Sequence, residues 1–460
     1  MPDYLPHTDA EIEGMLRFLG LGSLDDLFSV VPEAIRLAGG LDLAEGVPEP
    51  DVVSRMEALG DRNAARNDRM VCFAGAGAYD HEVPPVVRAL AGRSEWVTSY
   101  TPYQAEVAQG VLQAVFEFQT MISRLSGLAV SNASLYDGAN ALVEAINLGV
   151  AASGRSTVWL SAGVHPYWRG VLGTFVAGTG HEIVTVPLRD GRTQWPESAD
   201  GDDAAPGVVV VAYPNFLGCL EDLEAVRRSC DLHGAIMVVA ADPVLAGILR
   251  SPGSWGADVA VGEGQALGMP LSFGGPYLGL FSCRSEHVRR LPGRLVGETV
   301  DAEGRRAYVT TLRAREQDIR REKATSNVCT NQTLMAVTAA IQLGWLGTSG
   351  LDEIGLRCAR GARYCRDGLL ALDGVEPLTS DAPVVREFAI RTPIEARRVV
   401  ERLGTEGILA GLALDTVVPG GGGVVSPEDA AHGLLVAVTE RRTRQQVDAM
   451  VAALDKAVRA

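Results

Sequence analysis

Of the 41 basic residues in this 460-residue sequence only two are lysines, Lys323 and Lys456. Chemistry that needs a primary amine, such as imine formation with an aldehyde, therefore has two places to occur. Asp242 ends the apolar run MVVAAD. A carboxylate at the end of a buried strand is costly unless a cation or N–H donors meet it. Pro243 follows at what would be the first position of a helix PVLAGILR, so Asp242 reads equally well as a helix N-cap. A little over twenty residues on, Gly262-Glu263-Gly264-Gln265 opens a loop after the strand ADVAV. The amide of Gln265 has no nucleophilic lone pair and forms no imine. Tyr79, Asp80 and His81 cluster after Gly75-Ala-Gly77, but one histidine with no second ligand at helical spacing does not point to a metal. P-loop, HExxH and GxSxG patterns are missing, and Gly75-Ala-Gly77 is not a full dinucleotide fingerprint.

The elements that must position these groups alternate. TVWLS, EIVTVPL, GVVVVAYP, AIMVVAAD, DVAVG and YLGLFS read as strands; HPYWRGVLGTFVA and LEDLEAVRRSCDLHG read as helices between them. Short β-rich runs separated by helices imply crossover connections and a mostly parallel, buried sheet. Ahead of them VAQGVLQAVFEFQTMISRLSG has the spacing of a core helix. Residues 1–70 read as a helical arm, with Thr8 and Glu11 as a capping box and Ser23 as a second N-cap; an autonomous small lobe is the alternative. Residues 71–345 form a large α/β domain. Residues 346–460 form a small α/β domain of antiparallel strands with helices on one face, its Pro419–Gly423 run a flexible loop.

The net charge of −16 excludes a nucleic-acid footprint and disfavours an anionic membrane surface. No apolar run of membrane-span length and no signal peptide is read, so a cytoplasmic protein is expected. Seven scattered cysteines, never in a CxxC pair, read as small buried hydrophobes.

In pyridoxal-phosphate enzymes of the aminotransferase-like fold, an aspartate placed like Asp242 pairs with the pyridinium nitrogen, and the Schiff-base lysine follows a little over twenty residues later. Gln265 is the best match for that slot, which is vacant of lysine. GAGAYDHEVPPVV, TSYTPYQAEVAQGVLQAVFEFQTMI, SNASLYDGANALVEA, GEGQALGMPLSFGGPYLG and above all AREQDIRREKATSNVCTNQ resemble the glycine cleavage P-protein family, in its split two-subunit form. The resemblance runs from about residue 4 to the C-terminus. It implies a fold type I large domain with a small C-terminal domain. It also implies a heterotetramer with a homologous, lysine-bearing second subunit that carries the pyridoxal phosphate, none being covalently bound to this chain. The implied reaction decarboxylates glycine and passes the aminomethyl group to the lipoyl arm of H-protein.

Active sites of this fold form across a dimer interface, so a lysine-free chain can still supply side chains. Tyr100 and Tyr103 are candidates to line the partner's pocket; interface packing is the competing reading. Lys323, Thr325, Ser326 and Asn327, before a helix, are candidates to reach the partner's cofactor phosphate or the lipoyl carrier; a salt-bridged capping turn competes. His165 sits where the fold stacks an aromatic on its cofactor. Ser131-Asn132-Ala133-Ser134 resembles a phosphate cradle, with a plain helix N-cap as the simpler reading. Two rival functions remain open: a self-sufficient pyridoxal-phosphate enzyme using Lys323, which lies 81 residues past Asp242, and a scaffold or regulatory pseudoenzyme.

Overall fold

The structure, a computed structural model, describes residues 6–37, 41–63, 70–196, 205–379 and 382–459. It divides into two compact units, Met1–Arg66 and Asn67–Ala460.

In the first unit the capping box forms: the Glu11 N–H donates to Thr8 Oγ1 at 3.4 Å and the Thr8 N–H to Glu11 Oε2 at 2.7 Å. It starts the helix Asp9–Leu19, which Gly20 ends in the left-handed conformation. Ser23 caps only the short 3₁₀ turn Leu24–Phe28, because Pro32 soon interrupts the run. A second helix spans Glu49–Gly60. Among the described residues of this unit none is buried, and Phe18, Val30 and Ile35 stand largely in solvent. Helices this short draw their stability from packing rather than propensity, and the described residues of this unit form no core among themselves.

The second unit is built on a seven-stranded sheet. From one edge its strands are Val130–Ser131, Gly279–Cys283, Val259–Glu263, Ile236–Ala241, Val208–Tyr213, Thr157–Ser161 and Glu182–Val186. Only Gly279–Cys283 runs antiparallel to its neighbours. Successive side chains of a strand point to opposite faces. Val208 and Val210 therefore pack with Leu142, Ile146 and Leu148 of the helix Gly138–Ser153, while Val209 and Val211 pack with Val226 and Cys230 of the helix Leu223–His233. Burial on both faces is why these strands read as unbroken apolar runs. PVLAGILR makes only a 3₁₀ turn, Leu245–Gly247.

Residue 346 falls inside a long helical segment, Thr333–Leu370, one residue before its break at Gly347 (φ 60°, ψ −172°). By length and composition alone this segment is long and apolar enough to cross a membrane. Its residues Ala336, Ala339 and Leu343 instead pack on Phe118 and Ile122 of the helix Gln109–Ser126, which places it in the core. A second sheet follows, antiparallel, in the order Glu376–Pro377, Glu387–Arg391, Gly433–Ala437 and Leu412–Ala413. The early strand Val71–Cys72 pairs with Ile408–Leu409, so a segment near the start of this unit is sewn to its C-terminal part. The Pro419–Gly423 run is a coil of turns in which all four glycines have positive φ, and its Gly422 carbonyl accepts from Arg169.

The two sheets meet at the loop after Val208–Tyr213. Cys219 bridges to Val384, and the Leu220 N–H donates to the Pro383 carbonyl at 2.8 Å. Gly218 lies beside this seam with φ +81°, and a Cβ there would collide with the backbone carbonyl of Glu387. Gly218→Ala is therefore expected to destabilise the protein by about 2–3 kcal/mol through strain and overpacking. A melting temperature equal to the parent's would contradict this packing.

Candidate functional site

Ligands of open α/β sheets gather beyond the carboxyl ends of the strands. His165 lies a few residues past the strand Thr157–Ser161, and Asn215 past Val208–Tyr213. Asp242 and Gln265 follow the next two strands in the sheet. With Gly77, Tyr79, Trp168, Phe216 and Glu263, and with Arg386 and Glu387 from the C-terminal sheet, they line a cavity of about 90 Å³.

Asp242 does meet a cation, and the protein itself supplies it. Its Oδ2 forms an ion pair with the buried guanidinium of Arg386. Its Oδ1 accepts the N–H groups of Val244 at 2.9 Å and Leu245 at 3.4 Å, so it also caps the 3₁₀ turn. Arg386 stacks on Tyr79, 3.4 Å from the ring centroid, and donates to His81 Nε2 at 3.0 Å. An arginine only donates, so this nitrogen accepts and the ring hydrogen sits on Nδ1. That nitrogen donates to Glu440 Oε2 at 2.6 Å. His81, Glu440 and Cys358 bring donor atoms within 4.8 Å of one another. A guanidinium already occupies the other nitrogen of the imidazole, so the group works as an anchoring network.

Gln265 is 1% exposed and fully engaged. Its amide pairs with the Tyr79 peptide in both directions, accepting from the N–H at 3.0 Å and donating to the carbonyl at 3.2 Å, and donates again to the Met269 carbonyl at 2.8 Å. Beside it, Glu263 accepts N–H groups from Gly138 at 2.9 Å and from Gln265 and Leu278 at 3.0 Å. Burial pushes the Glu263 carboxyl up to about 7 despite those three donors. Burial likewise pushes Glu387 up to about 7, against the Ala76 N–H at 2.7 Å and the Tyr79 hydroxyl at 2.8 Å. His165 donates through Nε2 to the Ala76 carbonyl at 2.8 Å and caps the helix Pro166–Val176.

These residues do not fit covalently anchored pyridoxal phosphate. Among the described residues no amine lines the cavity: Lys323 is exposed and not part of its lining, and Lys456 is exposed and paired with Glu406. Asp242 is already neutralised by Arg386. The N-terminus of the helix Gly138–Ser153, the natural seat for a phosphate, is filled by carboxylates. Asp137 Oδ1 caps Asn140 at 2.8 Å, and Glu263 takes the first amide.

The Ser131–Ser134 stretch is corrected on the same ground. It precedes the helix by several residues and is neither its cap nor a cradle; Asp137 is the cap. Ser131 bonds to Ser123 and Ser282, while Ser134 Oγ accepts from Gln332 at 3.1 Å and Asn331 at 3.3 Å. The helix that follows begins at Thr333, so Thr325, Ser326 and Asn327 lie in irregular chain ahead of its N-terminus. Among the cysteines, Cys329 is exposed and Cys72 half-buried, unlike the buried remainder; all seven are free thiols.

Tyr100 and Tyr103 are 77% and 61% exposed. Arg294, which no sequence pattern marked, ties the Tyr103 loop to the segment 329–331, and that segment lies on the loop 131–136. The Asn331 amide donates to the Ala133 carbonyl at 2.9 Å, and the Cys329 N–H to the Tyr136 hydroxyl at 3.3 Å. Ser326 bonds to Glu144, whose carboxyl burial pushes up to about 7. The tyrosine loop and the 326–331 segment thus form one surface. Tyr100, Lys323, Thr325 and Asn327 are on exposed chain nearby in sequence, and no described hydrogen bond links them to Tyr103. Arg386 and Glu387 also escaped the sequence. Their one signal was a charged pair opening the otherwise apolar strand of VREFAIR.

A mostly parallel sheet whose strand ends are closed by a smaller antiparallel sheet is the fold of the pyridoxal-phosphate enzymes of fold type I. Mouse CSAD in apo form (TM-score 0.65, 14% identity, 95% of this chain and 92% of that one) and the sphingosine-1-phosphate lyase Bpss2021 of Burkholderia pseudomallei (0.63, 15%, 93% and 95%) share it. A crystal structure of glycine decarboxylase (P-protein) of the glycine cleavage system, in inhibitor-bound form, superimposes with a TM-score of 0.89 at 44% identity, over 99% of this chain and 100% of that one. Residues 2–454 match the family described as glycine cleavage system P-protein, and the chain belongs to it. Among its relatives are the probable glycine dehydrogenase (decarboxylating) subunits 1 of Desulforamulus reducens, 44% identical over 98% of this chain and 99% of that one, and of Moorella thermoacetica, 45% identical over 98% of both.

Two outcomes follow from the cavity. Gln265→Lys restores an amine yet leaves Arg386 and both carboxylates in place, so added pyridoxal phosphate is expected to produce no new visible absorbance; a bound chromophore would contradict the fit argued above. Glu387 has a folded-state pKa raised to about 7 from an ordinary 4.5, so the folded state holds a proton that the unfolded state has released between those values. Stability must then fall as pH rises through that window. Glu387→Gln is expected to flatten that fall in denaturant melts run from pH 4.5 to 7.5, and an unchanged slope would refute it.

Proposed function

We propose that this chain is the first subunit of glycine dehydrogenase (decarboxylating), acting with a homologous, lysine-bearing second subunit. The pair decarboxylates glycine and passes the aminomethyl group to the lipoyl arm of H-protein, in the cytoplasm. Pyridoxal phosphate resides on the second subunit and supplies the electron sink. The observation that carries this reading is the lining of the cavity: Arg386 holds Asp242, and Gln265 stands where a lysine is expected. A chain of this family that cannot anchor the aldehyde needs a partner that can.

This chain's contribution is a surface. Tyr100 and Tyr103 are presented to solvent, where an opposing subunit can meet them, and Lys323, Thr325 and Asn327 are exposed with Ser326 half-buried beside them. Among the described residues no carboxylate pairs with Lys323, so its charge is available to an anion from outside. The N-terminal unit, with no buried side chain among its described residues and with exposed Phe18, Val30 and Ile35, suits an arm that wraps the partner. The self-sufficient reading is disfavoured by the distance in sequence and the exposure of Lys323. The scaffold reading is separated by experiment.

Co-expressed with the second subunit, the complex is assayed for glycine–bicarbonate exchange with each subunit omitted in turn. Either omission is expected to abolish exchange. Alanine at Tyr100 and Tyr103, and separately across Lys323–Asn327, is expected to lower exchange at least about tenfold with assembly intact, the scale for lost transition-state contacts. Full activity in all these variants, in an intact complex, would leave the scaffold reading standing.

A further inference from the structure

Arg294 is 7% exposed, and among the described residues no carboxylate lies within ion-pairing distance of it. Glu316 is close enough to feel its charge and no more. Buried charges are ordinarily paired, so an unpaired guanidinium kept in place has its hydrogen bonds as the reason. Nη1 donates to Thr101 Oγ1 at 3.5 Å and Asn331 Oδ1 at 3.4 Å; Nη2 donates to Tyr103 Oη at 3.2 Å and the Cys329 carbonyl at 2.9 Å. Its own carbonyl accepts the Ala133 N–H at 2.8 Å. One side chain therefore holds two loops, 101–103 and 329–331, that are far apart in sequence, the long-range type of contact that local propensity does not provide.

The donor direction matters. A guanidinium cannot accept, so the Tyr103 oxygen takes the hydrogen bond from Arg294 and its own O–H is left for another acceptor. The guanidinium carbon lies 5.1 Å from the Tyr103 ring centroid, which steadies the ring from the side. A cation on the phenol oxygen polarises the remaining O–H and makes it a stronger donor. With the ring 61% exposed, that donor is available to a group across an interface.

We propose that Arg294 is a positioning residue for the surface this chain lends to the partner's active site, fixing Tyr103 as an outward hydrogen-bond donor and clamping the 329–331 segment beside it. The proposal rests on the reading of Tyr103 given above and names the residue that makes it work. Lysine is no substitute, because one ammonium cannot span acceptors distributed over both guanidinium Nη atoms.

The test is a double-mutant cycle in the assembled two-subunit complex, measuring kcat and KM for glycine in Y103F, R294K and the double variant. Y103F and R294K are each expected to lower kcat by about tenfold with KM for glycine nearly unchanged, and the double variant to be no slower than either single one. A purely structural Arg294 would give losses that multiply, which overturns the proposal, as does parental kcat in R294K. If Y103F itself runs at the parental rate, the reading of Tyr103 fails and takes this one with it. If Y103F is slow and R294K is not, only the role of Arg294 falls. Should R294K not assemble, R294Q carries the same cycle, and hydrogen exchange in this chain alone reads the tether directly. Faster exchange at residues 99–104 and 326–332 is expected in the Arg294 variant, and unchanged protection would overturn the proposal.

Discussion

The ion pair between Asp242 and Arg386 is the constraint on which the rest of the site depends. It joins the carboxyl end of a central strand to the residue just ahead of the strand Glu387–Arg391 of the C-terminal sheet, 144 positions away in sequence. A buried pair of this kind adds little net stability over an apolar contact of equal size, but removing one partner strands the other charge at a cost of about 3–5 kcal/mol. Once Arg386 is committed to Asp242, its flat face is covered by Tyr79 and its second nitrogen by His81, which Glu440 orients in turn. Tyr79 then brings its peptide to Gln265 and its hydroxyl to Glu387. A cavity that could have received a flat aromatic ligand is instead crossed by the protein's own side chains.

The inner strands were legible because they are buried on both faces, which writes them as uninterrupted apolar runs; the largely exposed edge strand Glu182–Val186 showed instead through its β-branched residues. The vacancy at Gln265 was legible from the rarity of lysine and its spacing from Asp242. What could not be read was which cation meets that aspartate, since sequence spacing carries no trace of a partner on another sheet. Arg294 was hidden for the same reason: the four acceptors its guanidinium meets, three side-chain oxygens and one backbone carbonyl, come from two distant loops. Ser131–Ser134 was misassigned because serine and asparagine suit a cap wherever a helix is near, and the true cap, Asp137, differs only in position.

The division of labour implied by these contacts is physical. An amide in place of an amine cannot anchor an aldehyde, and Asp242 then has no cationic ring to meet. It takes backbone amides and a guanidinium instead, which stiffens the domain. A stiff domain is a sound platform for loops that must hold tyrosine and hydroxyl groups at a shared boundary, because small misplacements of reacting groups are costly.

The central claim is that the reactive amine belongs to the other chain. The direct measurement is to assemble the two-subunit complex with pyridoxal phosphate, reduce it with borohydride, and locate the modified lysine by peptide mass spectrometry. The account predicts modification of the second subunit alone. A pyridoxyl group on Lys323 or Lys456 of this chain would contradict it.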